Sequence, residues 1–149
     1  MAELHEELLA FVAGSGDPSF DALALRVATY QAEQLPAYGR LLSGRQEDLN
    51  HWLDAPLIPT EAFRHLDLCP VAPNPSHTVF ETSGTTGDRS GRRRLPDLTL
   101  YHAAMTAPFV EHVLDGDTAP RPWVSLIPHV SSLSTSSLSH MVSTLAETL

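Results

Sequence analysis

Residues 82–87 read Thr-Ser-Gly-Thr-Thr-Gly and directly follow Val79, Phe80 and Glu81, the end of a β-favouring run. Small residues in such a place let backbone N–H groups come close to a bulky anion. Glycine also tolerates positive φ, so that successive N–H groups can converge on one oxygen. Serine and threonine hydroxyls add donors that rotate to suit phosphate lone pairs. A polyphosphate is the ligand such a bend would suit, and a ligand-free serine/threonine-rich turn is the alternative. Two other readings fail on spacing. A Walker loop needs lysine after its second glycine, and counting from Gly84 or Gly87 puts Arg89 or Arg92 where that glycine should stand. A nucleophile elbow needs glycine two residues before the serine, where Ser83 has Glu81 and Ser90 has Asp88.

Charge for an anion can come from Arg89, Arg92, Arg93 and Arg94, which follow at once. Arg89 and Arg92 are candidates to face phosphates, whereas Arg93 and Arg94 read as a solvated basic loop. The histidines at positions 5, 51, 65, 77, 102, 112, 129 and 140 show no ligand-like i+2 or i+4 pairing, so no metal site is expected. Cys69 is the only cysteine, which excludes an internal disulfide and suits a reducing compartment. It is expected to be a small buried hydrophobe.

The elements that must position these residues follow from periodicity and breakers. Leu4, Leu8, Phe11 and Val12 give residues 2–13 a helical apolar face, ended by Gly14. Ser19 is placed to cap a second helix over 20–35 carrying Phe20, Leu23, Val27 and Tyr30, and Pro36 interrupts it before a short helix from Tyr38 to Leu42. Residues 46–75 are proline-rich and irregular, with one short helix at Thr60–His65 for which Thr60 is a candidate cap. Trp52, Leu57, Ile58 and Phe63 in this part could line an acyl pocket or pack a core. Strands are expected at Ser76–Glu81 and Trp123–Ile127. A helix is expected from Asp97 or Thr99 to Leu114, bent or broken at Pro108. A last one carries Leu138, Met141, Val142 and Leu145, capped from the serine-rich stretch before it.

The fold expected is α/β: N-terminal helices packed on the start of a mixed sheet. The whole of 1–149 reads as a single partial domain divided into residues 1–45, 46–75 and 76–149. Two strand candidates do not make a sheet that stands alone, and TLAETL ends without a helix terminator, so a longer domain is expected. A net charge of −9 excludes a general nucleic-acid binder, and no run approaches the ~20 apolar residues of a membrane span. Acidic residues near the start do not suit a signal peptide, so a cytoplasmic location is expected.

TSGTTG resembles the phosphate loop of the adenylate-forming enzymes, which usually continue with proline, lysine and glycine where this chain has Asp88-Arg89-Ser90-Gly91. The ordered series Trp52-Leu53, PLIPTEAFR at 56–64, VFETSGTTG at 79–87, Leu100-Tyr101 and SSLSHMV at 136–142 is similar to the acyl-protein synthetase family of bacterial bioluminescence fatty-acid reductases. PSFDALALRVATYQAEQLPAYGRLL is similar to that family's opening helices, and the resemblance extends over most of residues 19–145. It implies ATP-dependent activation of a carboxylic (fatty) acid as acyl-AMP, loss of pyrophosphate, and acyl transfer to a protein thiol. Thr82, Ser83, Gly84, Thr85, Thr86 and Gly87 would wrap the ATP phosphates, Arg89 would add charge, and magnesium would share the load. A carboxylic acid substrate and a reductase or acyl-carrier partner are implied as well. The family's late catalytic lysine has no counterpart, since the chain contains no lysine, and Cys69 does not match its acyl-accepting cysteine. No catalytic residue is therefore assigned. A non-catalytic binding or docking module, or a truncated inactive product, is the alternative.

Overall fold

The computed structural model describes residues 2–15, 19–44, 49–82 and 90–149. Helices and strands are both present, and the chain divides into two compact units, Met1–Pro73 and Asn74–Leu149. The division falls near the end of the proline-rich stretch. All helices before it belong to the first unit, and both strands to the second.

In the first unit, α1 spans Ala2–Val12, α2 Phe20–Gln34 and α3 Pro36–Ser43. The end of α1 is set by Gly14 at φ +71°, where Gly14 N–H donates to the Phe11 carbonyl and Ser15 N–H to that of Ala10. This pair of reversed bonds satisfies carbonyls the helix leaves over. Ser19 caps α2 as expected, its Oγ accepting from Ala22 N–H at 3.2 Å. Leu35 is held extended by the proline that follows, and Pro36 then opens α3 at a position where its missing N–H costs nothing. Leu23 and Ala28 of α2 are buried, as are Tyr38 and Leu42 of α3. Gly39 is required at this corner, since a Cβ there would stand 2.6 Å from the Ala32 carbonyl oxygen.

Two short 3₁₀ turns follow at Trp52–Asp54 and Thr60–Arg64. The first is fastened to the start of α2: Trp52 N–H donates to Asp21 Oδ1 at 2.8 Å, and His51 Nε2 lies 3.3 Å from Asp21 Oδ2. The second begins after Pro59, and Thr60 is its first residue, not its side-chain cap. The structure buries none of Trp52, Leu57, Ile58 and Phe63, and Leu57 is 85% exposed. Cys69 is half-buried where full burial is expected from its type.

In the second unit, β1 spans Thr78–Glu81 and β2 Arg92–Leu95, paired antiparallel with Glu81 opposite Arg92 and Phe80 opposite Arg93. Among the described residues the sheet is this two-stranded hairpin, where the start of a mixed sheet is expected. The Arg92–Arg94 stretch is therefore a strand, not a loop. Trp123–Ile127 is not a strand, although its residues favour one. Among the described residues it has no ladder partner, and Ser125 Oγ instead accepts from Ile127 N–H at 3.0 Å, a local bond that competes with pairing.

α4 spans Thr99–His112 and α5 Ser137–Thr148. α4 continues through Pro108 and ends two residues before Leu114, where Asp115 and Gly116 take positive φ. Ser136 caps α5 by accepting from Ser139 N–H at 3.2 Å. Phe80, Met105 and Leu145 are buried in this unit together with Ser139 and Ser143. Ser143 Oγ accepts from Val130 N–H at 3.0 Å, which holds the irregular 123–135 stretch to α5.

Candidate phosphate-binding hairpin

The hairpin is built around one threonine. Thr82 leaves β1 and its N–H donates to the Gly91 carbonyl at 2.9 Å, extending the ladder by one rung. Its hydroxyl accepts from Gly91 N–H, also at 2.9 Å. Gly91 is buried, so its N–H needs this partner. Thr82 and Gly91 are thus tied together by two hydrogen bonds. Thr82 itself is spent on this closure. Of the other residues assigned to the phosphates, Ser83, Gly84, Thr85, Thr86, Gly87 and Arg89 lie outside the described residues.

β2 lays three successive cations beside this neck. Arg92 Nε lies 3.1 Å from Glu81 Oε1, a cross-strand pair with more than half of the arginine side chain exposed. Such a pair contributes about 0–1 kcal/mol, and its main effect is to fix where the guanidinium stands. Arg94, on the same face as Arg92, lies 2.8 Å from His77 Nδ1. Arg93 falls on the face of Phe80 and acts electrostatically on Tyr101. The alternation of a strand therefore sends Arg92 and Arg93 to opposite faces.

On the Phe80 face of the hairpin stands an aromatic cluster. The Phe80 ring centroid is 5.3 Å from that of Tyr101 and 5.4 Å from that of His140. Tyr101 donates its hydroxyl proton to the Ser137 carbonyl at 3.1 Å. Burial pushes the Tyr101 phenol up, and the Arg93 guanidinium pulls it partly back. His102 of α4 and His140 of α5 meet at Nε2 with a separation of 2.9 Å. Burial holds the His140 imidazole below its ordinary range, the His102 ring adds to this, and Glu147 opposes it. Sequence spacing gives no sign of this pair, because its members are brought together only by the packing of two helices. Glu81 N–H donates to the Thr135 carbonyl at 2.8 Å, which ties β1 to the stretch leading into α5.

No group of three histidine, cysteine or carboxylate side chains suited to a metal ion occurs among the described residues. No helix of the described residues is long and apolar enough to cross a membrane. No family model, curated protein or solved structure matches the chain.

Proposed function

We propose that the 82–91 hairpin grips the phosphates of ATP in an enzyme that activates a carboxylic acid as its adenylate. The observation that carries this reading is the Thr82–Gly91 closure, which anchors a hydroxyl- and glycine-rich segment at both ends beside β2 and its three arginines. A segment held at both ends loses less conformational freedom when it closes on an anion. In the reaction, a carboxylate oxygen of the acid attacks the α-phosphorus, and the bond to the β-phosphate bridging oxygen breaks. Pyrophosphate leaves with that electron pair. A thiolate supplied by a partner then takes the acyl group, with AMP as leaving group. Ser83, Thr85 and Thr86 donate to the phosphates, Gly84 and Gly87 let the backbone approach, and Arg89 adds charge. A fatty acid is the substrate class that the family resemblance favours.

Calorimetric titration of the full chain with magnesium–ATP tests the phosphate grip. Binding is expected, and Thr85→Ala is expected to weaken it about 10- to 150-fold, since a hydrogen bond to a charged group is worth about 1.5–3 kcal/mol. Adenosine binding should be unchanged by that substitution. Absence of ATP binding, or equal ATP affinity in the variant, would refute the reading.

The complete absence of lysine favours a second reading, a nucleotide-binding module that does not itself complete acyl activation. The two separate on isotope exchange between pyrophosphate and ATP in the presence of a fatty acid. An activating enzyme catalyses the exchange, and a binding module holds ATP without it.

A further inference from the structure

The contact between His102 and His140 has a geometry that counts protons. The ring planes are 10° apart and the centroids 5.2 Å, while the two Nε2 atoms are 2.9 Å apart. With the nitrogens so much closer than the centroids, the rings meet edge to edge, one Nε2 pointing at the other. A hydrogen bond in that line needs a proton on one Nε2 and a lone pair on its partner. The neutral pair satisfies this with opposite tautomers. A first added proton goes to the outer Nδ1 of the donor ring and leaves the bond intact. A second must go onto the accepting Nε2, and then two N–H groups and two positive charges face each other.

We infer that this pair is a proton-operated latch that holds α5 against α4 and β1, closed while one Nε2 proton is shared and released when the second arrives. His140 is the hinge of the contact. Its ring packs on Phe80 of β1 and, at 5.9 Å between centroids, on Tyr101 of α4. The same seam includes the Tyr101 hydroxyl bond to Ser137 and the Glu81 bond to Thr135. The charged and titratable groups around the pair are Tyr101 on α4, Arg93 on β2 and Glu147 on α5; β1 contributes the uncharged Phe80 here. Tyr101 is neutral throughout the acid range, Arg93 bears on Tyr101, and Glu147 alone among them favours the charged imidazole. Burial and the neighbouring ring act against that charge.

The sign of the effect follows from linkage. A histidine whose folded pKa is depressed contributes stability that is present above its unfolded value of about 6.5 and is lost as pH falls through the folded value. Because the two rings meet through one Nε2–Nε2 hydrogen bond, the loss belongs to the second protonation of the pair. The latch does not depend on nucleotide binding.

Urea unfolding of the full chain between pH 7.5 and 5, in the wild type and in His102→Gln, tests the inference. Glutamine offers both an acceptor and a donor at the former Nε2, so it serves His140 in either protonation state. The wild-type unfolding constant is expected to gain up to about tenfold per pH unit below 6.5 relative to the variant, the weight of one proton. The Glu81 amide should exchange at least tenfold faster at pH 5 than at pH 7, after correction for intrinsic rates. Ring nitrogen spectra of the unsubstituted chain supply a measurement that needs no variant. They should show opposite tautomers for His102 and His140 at neutral pH and two separated titration steps. Equal pH dependence in wild type and variant would overturn the latch, as would two rings titrating independently near 6.5.

Discussion

At the scale of single residues, Thr82 does the most with the least. Its backbone continues the ladder and its side chain supplies the acceptor for a buried N–H, so one residue ends a strand and closes the neck of the segment that follows. Thr82→Val keeps the shape and β-branching but removes the acceptor. It is expected to destabilise the second unit by about 1–3 kcal/mol, the cost of a buried donor left without a partner. Thr82→Ser retains the oxygen and should stay within about 0.5 kcal/mol of wild type. Urea midpoints read by Trp123 fluorescence check both, since Trp123 is the tryptophan of this unit. A larger loss in Thr82→Ser than in Thr82→Val would show that the methyl group, not the hydroxyl, matters at the neck. Arg92 is a contrasting case: its pair with Glu81 is exposed, and removing it should change stability little.

At the scale of elements, close approach decides more than propensity. Gly39 lies inside α3, where alanine would favour the helix by about 1 kcal/mol. The α2–α3 corner reverses that preference, because the added methyl would stand 2.6 Å from the Ala32 carbonyl oxygen and the obstructing atom is backbone. Gly39→Ala is therefore expected to cost about 1–3 kcal/mol by forcing the two helices apart. A lower urea midpoint in Trp52 fluorescence would record it, and an unchanged or raised midpoint would show that the corner relaxes at little cost. The same priority of context over propensity explains β2. Arg92, Arg93 and Arg94 have no apolar alternation, yet they form a strand because β1 offers them a ladder. Trp123–Ile127 has β-branched and aromatic residues but no ladder among the described residues. Val124 and Leu126 are accordingly 93% and 96% exposed.

At the scale of the whole molecule, each compact unit carries a tyrosine whose phenol is pushed up by burial, Tyr38 in the first and Tyr101 in the second. The folded state keeps these groups neutral after the unfolded chain has begun to ionise them. Their contribution is fully present below the unfolded value of about 10 and is lost as pH rises through the folded value. Stability should thus fall above pH 10, and Tyr38→Phe should flatten part of that fall in the Trp52 signal. An alkaline limb identical in wild type and variant would exclude Tyr38 as a cause.

Much of the local structure was legible in the sequence because its causes are local. Gly14 terminates α1 through its own backbone freedom, Ser19 and Ser136 cap α2 and α5 through their own hydroxyls, and Pro36 separates α2 from α3 through its own ring. The mixture of helices and strands, and the strand that runs to Glu81, are of this kind. What needed tertiary structure is every feature whose cause is a distant partner. Arg92–Leu95 becomes a strand only opposite Thr78–Glu81, and Gly91 finds its acceptor only where the chain has turned back on Thr82. His102 and His140 share a proton only where α4 and α5 pack together. A cap or a breaker acts within a few residues of itself, so composition and spacing reveal it. A ladder or a ring pair exists only once the chain has brought its two halves together, so neither half bears its mark alone.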